Sequence, residues 1–236
     1  ADQTVSATTT DDDVAGFTVT ETGGSTTVAE TGTTDTFTVV LTAQPASDVV
    51  LSISSADTDE ASVAPSSVTF TTGNWNTAQT VTVTGIDESV VDGDQNSTIT
   101  VAILDAASDD SFDALADQTV SVTTTDNDVA GFTVAQTDGS TSVAETGTTD
   151  TFTVVLNAQP VSDVVLTITS SDTGEATVNT PLTFTNANWN TPQTVTVTAV
   201  DDSGVVDGDQ VSTLTVAVND ANSDDTFDAV ADQTVS

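Results

Sequence analysis

The sequence predicts an all-β protein built from two tandem immunoglobulin-like antiparallel β-sandwich domains, and three observations support this prediction. The segment Ala-Asp-Gln-Thr-Val-Ser occurs at Ala1, Ala116 and Ala231, so a unit of 115 residues is present twice. Within each unit, apolar residues alternate with Thr and Ser, which is typical of half-buried strands. We find no stretch with the 3.6-residue periodicity of a helix.

Each unit contains about seven alternating segments, the number expected for an immunoglobulin-like sandwich. Turns rich in Gly, Pro, Asn and Asp separate the segments. In the first unit the inward-facing residues are predicted to be Phe17 and Val19; Phe37, Val39 and Leu41; Val49, Leu51 and Ile53; Val68 and Phe70; Val81 and Val83; Ile99, Val101 and Ile103; and Val120 and Val122.

The repeat also predicts the domain boundaries. Residues 1–13 match the end of a preceding repeat, residues 14–128 form the first sandwich, and residues 129–236 form the second, truncated before its closing Asp triplet. Because the sequence has no Met, we expect a segment of a longer polypeptide. The connection Val129-Ala130-Gly131 is too short for a flexible linker, so the expected partners are neighbouring repeats of the same chain.

The charge of the chain excludes several classes of function. There are 37 acidic residues and no Lys, Arg or His, for a net charge of −37. A chain without cationic side chains cannot neutralise the charge of nucleic acid or anionic lipid. No apolar run is long enough to span a membrane. Without His, Cys, Lys or Tyr, most acid–base and nucleophilic catalysis lacks its usual groups, so we expect no enzyme. We also expect a monomer.

The acidic residues cluster in turns. If the strands alternate in direction, the turns after Ile53 and Val83 and the end of the last strand share one pole of the sandwich. Clustered carboxylates without cationic side chains repel one another, and Ca²⁺ with its 6–8 oxygen ligands is the cation that suits such loops. The alternative, acidic turns that serve only solubility or adaptation to salt, remains open at this point.

Two segments of the unit resemble Calx-beta domains: Gln118 to Gly131, with its acidic triplet, and Val81 to Asp92, with its acidic loop. The Asn-Trp-Asn-Thr element at 74–77 and the Val-Asp-Gly-Asp-Gln element at 91–95 look more like tandem extracellular repeats of very large bacterial (RTX-type) surface adhesins. The resemblance implies Ca²⁺ bound at the pole that holds the end of the last strand.

Carried over by motif, the implied ligands of the first repeat are Glu30, Asp57, Asp87, Glu88, Asp92, Asp126, Asn127 and Asp128. Those of the second repeat are Glu145, Asp172, Asp201, Asp202 and Asp207. The triplet Asp11, Asp12 and Asp13 lies one period before the triplet at 126–128. Gln95 and Gln210 stand where the family's regulatory domains have an acid, and Asn127 replaces an Asp, so we expect fewer or weaker ions.

These observations predict Ca²⁺-stabilised structural extender repeats of a large secreted bacterial cell-surface adhesin. Such repeats would form a stiff extracellular rod that projects a distal binding domain. The alternative is a Ca²⁺-dependent carbohydrate- or protein-binding module that uses the ion or Trp189. Trp75 and Trp189 equally fit a packing role within their Asn-rich turns.

Overall fold

The protein is all-β, which confirms the predicted fold class. The structure, a computed structural model, describes residues 2–202, 204 and 208–236. The chain divides into two compact units, each with its own hydrophobic core. No helix among these residues is long and apolar enough to cross a bilayer.

The first unit is a sandwich of two sheets. Its strands are β1 (Phe17–Glu21), β2 (Thr26–Ala29), β3 (Thr34–Leu41), β4 (Val49–Ser55), β5 (Ala61–Ala64), β6 (Ser67–Phe70), β7 (Gln79–Gly85), β8 (Gln95–Ile103) and β9 (Gln118–Thr125). One sheet has the order β1-β3-β7-β5 and the other β2-β9-β8-β4-β6. Strand β1 pairs antiparallel with β3, whereas β2 pairs parallel with β9, so the first segment of the unit contributes to both sheets.

The described residues of the second unit form eight strands in a similar arrangement. They are β10 (Phe132–Gln136), β11 (Thr149–Leu156), β12 (Val164–Ser170), β13 (Ala176–Val178), β14 (Leu182–Phe184), β15 (Gln193–Ala199), β16 (Leu214–Val218) and β17 (Gln233–Val235). The sheet orders are β10-β11-β15-β13 and β14-β12-β16-β17. The segment 141–144, which corresponds to β2, forms no strand.

The alternating pattern of each strand places its apolar residues between the two sheets. Phe37, Val39 and Leu41 of β3 are buried, and Phe152, Val154 and Leu156 of β11 are their counterparts in the second core. Thr residues take the outward positions of the same strands. The core of the first unit therefore contains the residues that the sequence pattern predicts, together with Val28, Ala61 and Phe112, which it does not.

Two strands of the first unit, β2 and β5, escaped the sequence prediction. Strand β2 has only one large apolar residue, Val28, and its other inward position is Thr26. The Thr26 hydroxyl is buried but satisfied, because it donates to Glu21 Oε2 at 3.0 Å. A polar residue at an inward position interrupts the alternation of apolar and polar residues by which a strand is recognised in a sequence, so β2 was missed.

The N-terminal segment 2–14 is exposed and carries no strand. Val5 is 93% exposed. Asp11, Asp12 and Asp13 lie in this segment, where the Asp13 backbone N–H donates to Asp11 Oδ1 at 3.1 Å. These three predicted ligands belong to no group of acids in the described structure.

A buried aspartate anchors the acidic turn before β9, at the end of the first unit opposite the predicted metal pole. Asp109 Oδ2 accepts from the backbone N–H groups of Ala46 at 2.7 Å and Ser47 at 2.9 Å. Its Oδ1 accepts from the hydroxyl and the backbone N–H of Ser111. The Ser111 hydrogen bonds and then those from Ser47 and Ala46 hold the pKa of Asp109 well below its ordinary value. This turn therefore has a structural role.

We expect Asp109→Asn to lower the melting temperature at pH 7, because Asn cannot reproduce charge-assisted acceptance of several N–H groups. Since the folded pKa lies below the ordinary value of about 3.9, the stabilisation is complete above that pH and is lost as pH falls through the lower folded pKa. The deficit of the variant should therefore shrink in thermal melts between pH 7 and pH 2, recorded in EGTA. Asp110→Asn, an exposed neighbour, is the control, and equal Asp109→Asn deficits at both pH values would contradict the assignment.

Candidate metal centre

Glu30 is a buried acid that directly follows β2. Its side chain is only 1% exposed, and its backbone N–H donates to the Thr125 carbonyl at 3.2 Å. Its Oε2 accepts from Asn127, from the backbone N–H at 3.1 Å and from the side-chain Nδ2 at 3.3 Å. The parallel pairing of β2 with β9 therefore carries Glu30 to the end of the last strand.

Glu60 is a second buried acid, in the turn that leads from β4 into β5. It is 7% exposed. Its backbone carbonyl accepts from the Ile86 N–H at 2.9 Å and from the Thr124 hydroxyl at 3.3 Å. These bonds tie the turn to the end of β7 and to β9, so the Glu60 carboxylate is held at the same pole as Glu30.

Glu88, in the loop after β7, is half-buried and brings a third glutamate to this pole. One carboxylate oxygen each from Glu30, Glu60 and Glu88 lies within 4.8 Å of the others. A carboxylate oxygen of Asp126, which directly follows β9, lies within the same distance of one from Glu30. The pole thus gathers three further carboxylates of the first unit around one buried glutamate.

The donor set fits a hard divalent cation. Ca²⁺ binds oxygen ligands at about 2.3–2.6 Å, so two ligands of one ion lie at most about 5 Å apart, and the carboxylates meet this condition. Buried carboxylates are costly unless opposite charge is close, and the chain has no Lys, Arg or His to supply it. A cation held by Glu30, Glu60 and Glu88 would supply that charge.

Two other predicted ligands of the first repeat, Asp57 and Asp87, lie outside this group of carboxylates and are exposed. Asp57 Oδ1 accepts the Asp59 backbone N–H at 3.1 Å, and Asp87 Oδ1 accepts from Asn127 Nδ2 at 3.3 Å. Asn127 therefore presents N–H donors to the acids around it, which positions Glu30 and Asp87.

Glu60 was not among the predicted ligands, because the resemblance pointed to Asp57 in the same turn. The geometry of the turn explains why Glu60 and not Asp57 enters the group. The Ala61 N–H donates to the Asp57 carbonyl at 3.2 Å, so Asp57 begins the turn and Glu60 ends it. Asp57 therefore faces solvent, whereas the Glu60 side chain is buried. One signal in the sequence could have identified it. Only 6 of the 37 acids are Glu, and three of these six form the group.

The corresponding acids of the second unit are more open. Glu145, Asp172 and Asp201 are exposed, Asp202 is half-buried, and Asp207 lies outside the described residues. Within the described part of this unit, no three carboxylates form a group like that around Glu30. Instead, Glu145 and Glu175 line an open cleft of about 600 Å³.

The two tryptophans have a packing role. Trp75 and Trp189 are half-buried and contact the cores of their units. The carbonyl of Trp75 accepts the Leu41 N–H at 3.2 Å, and that of Trp189 accepts the Leu156 N–H at 3.1 Å. Each residue therefore fixes its turn against a central strand.

Comparison with known proteins gives remote structural likenesses. No family model matches the chain, and no curated protein sequence matches it. Among solved structures, the calcium binding domain CBD12 of CALX1.1 is similar at 15% identity and TM-score 0.35, over 86% of this chain and 80% of that one. The E. coli chaperone DraB is similar at 10% identity and TM-score 0.36, over 88% and 94%. The surface layer protein SbsC, domains 4–9, is similar at 21% identity and TM-score 0.31, over 94% and 31%. These identities and scores are too low to assign a function.

Proposed function

We propose that this chain is a Ca²⁺-binding structural module, with its principal site formed by Glu30, Glu60 and Glu88. The observation that carries the proposal is the convergence of three glutamate carboxylates, two of them buried, in a chain without a cationic side chain. Asp126, directly after β9, extends the same acidic pole. A cation there would join the turn after β4, the loop after β7 and the end of the last strand.

The finer proposal is that such units serve as extender repeats of a large, secreted bacterial surface adhesin. Its support is the 115-residue repeat and the presence of a separate core in each unit. Extracellular Ca²⁺-binding modules have dissociation constants of about 10⁻⁴–10⁻³ M, a range that does not require a high-affinity site. In this role the ion stiffens the chain so that it projects a distal binding domain.

A calorimetric Ca²⁺ titration of the full chain tests the binding proposal. We expect saturable binding that EGTA reverses, and weaker binding by Mg²⁺, which demands near-octahedral geometry and dehydrates reluctantly. Glu60→Gln should weaken the binding, whereas Glu21→Gln should leave it intact, because Glu21 accepts from Thr26 and lies outside the group. Absence of Ca²⁺ binding by the wild-type chain would refute the proposal.

Small-angle scattering tests the extender proposal. We expect the wild-type chain to be extended in Ca²⁺ and more variable in EGTA, because the acids after β9 repel one another without the ion. Changing Asp126 and Asp128 together to Asn should reproduce the EGTA behaviour. The same pair of changes at Asp11 and Asp13, in the exposed N-terminal segment, is the control. Identical scattering curves for all samples would contradict the extender proposal and indicate an acidic spacer whose shape does not depend on Ca²⁺.

A further inference from the structure

One side chain of the first unit connects two of its acids directly. The Nδ2 group of Asn127 donates to Glu30 Oε2 and to Asp87 Oδ1, each at 3.3 Å. The Asn127 backbone N–H donates to the same Glu30 oxygen at 3.1 Å. Glu30 directly follows β2, and Asp87 lies in the loop after β7. The amide of Asn127 therefore joins the ends of two strands through the acids that follow them.

This amide takes the role that a cationic side chain has in most proteins. Carboxylates that approach one another are stabilised by N–H donors between them, and most strongly by charged ones. The chain has no Lys, Arg or His to supply a charged donor. The two N–H bonds of the Asn127 side chain are neutral donors that point at one acid each. They therefore reduce the repulsion between Glu30 and Asp87 without an ion.

The Nδ2 atom also lies at the spacing of an ion ligand. Oxygen ligands lie about 2.3–2.6 Å from Ca²⁺, so two ligands at a right angle are about 3.3–3.7 Å apart. The distances from Nδ2 to the oxygens of Glu30 and Asp87 match this spacing. A carboxylate oxygen in the place of Nδ2 would face both acids at 3.3 Å, and a cation would then be needed to hold them together.

We propose that Asn127 makes the acidic pole of the first unit less dependent on Ca²⁺. Its amide holds Glu30 and Asp87 together when no ion is bound, and it withholds one carboxylate ligand when an ion is present. This inference rests on the proposed Ca²⁺ function and adds the residue that sets how strongly stability depends on the ion.

Two variants separate the donors of this amide from the charge of the pole. Asn127→Asp removes the Nδ2 donors and adds a carboxylate, the group that the chain itself carries one period earlier at Asp12. Asn127→Ala removes the same donors without adding charge, and both variants keep the backbone N–H. Asn96→Asp is the matched control for charge. Asn96 is an exposed residue of β8 whose Oδ1 accepts the Thr123 hydroxyl at 2.9 Å, and Asp can still accept it.

The experiment measures Ca²⁺ affinity by titration and thermal stability in Ca²⁺ and in EGTA, with the full chain. For Asn127→Asp we expect about a tenfold gain in Ca²⁺ affinity and a lower melting temperature in EGTA, since the added charge attracts the ion and repels its neighbours. For Asn127→Ala we expect a lower melting temperature in EGTA and no gain in affinity. Asn96→Asp should match wild type in both measurements. A residue with only a packing role would not produce a gain of affinity in one variant alone.

Asn127→Ala keeps the test valid if Asn127→Asp fails to fold. In EGTA, hydrogen exchange of residues 86–88 should be faster in this variant than in wild type, because the loop has lost its hydrogen bond to Asn127. Unchanged exchange there, or a wild-type affinity in folded Asn127→Asp, would overturn this inference alone, provided that the wild-type chain binds Ca²⁺. A wild-type chain that binds no Ca²⁺ would overturn the proposed function, and the inference with it.

Discussion

Withdrawal of Ca²⁺ should lower the melting temperature of the first unit by roughly 10–20 °C. A ligand that binds only the folded state at a hundredfold excess over its Kd adds about 2.7 kcal/mol. In a domain of about 100 residues, each kcal/mol shifts the melting temperature by roughly 4–8 °C. When the ion leaves, the carboxylates of Glu30, Glu60 and Glu88 repel one another, which lowers the melting temperature further.

Differential scanning calorimetry in excess Ca²⁺ and in EGTA measures this effect. The melting temperature of the second unit, in which the equivalent acids line an open cleft, should shift less. We therefore expect the separation between the two unfolding transitions to change when Ca²⁺ is removed. Excess NaCl in place of CaCl₂ controls for simple screening of charge. An unchanged melting temperature in EGTA, with protein shown to be free of metal, would contradict the prediction.

Glu30→Gln should weaken Ca²⁺ binding at least tenfold, which corresponds to about 1.4 kcal/mol. Gln has nearly the same shape and can still accept from Asn127, so the change removes only the charge at the centre of the carboxylate group. In EGTA, where no ion is bound, we expect the substitution to cause no loss of stability. The variant should melt at the same or a higher temperature than wild type, because one repelling charge has gone.

Glu145→Gln is the matched control for this variant, since Glu145 is the exposed equivalent of Glu30 in the second unit. We expect it to change Ca²⁺ affinity little. Thermal melts of both variants in Ca²⁺ and in EGTA give four comparisons with wild type, and Ca²⁺ titrations of both variants give their affinities. If Glu30→Gln lowered stability equally with and without Ca²⁺, Glu30 would have a packing role and no role in metal binding.

Most of the fold was predictable because inward and outward positions alternate in polarity along the long strands. Phe37, Val39 and Leu41 are inward and Thr36 and Thr38 are not fully buried, so strand and face follow from the same residues. Strand β2 was not predictable in this way. Its inward Thr26 is stabilised by Glu21 on another strand, and such a partner is invisible to local periodicity.

The pole of the candidate site was predictable, but the carboxylates that converge there were predictable only in part. Alternating strand directions bring the acidic turns together, which is a property of topology. Whether Asp57 or Glu60 enters the sandwich depends on the hydrogen bond that closes their turn.

The parallel pairing of β2 with β9 has a mechanical consequence. When the start of one strand and the end of the other are pulled apart, parallel strands slide past each other, so the pairs from Thr26↔Val122 to Ala29↔Thr125 bear the tension together. Glu30 directly follows the end of β2, so an ion bound there would pin the sliding strands where force leaves the unit.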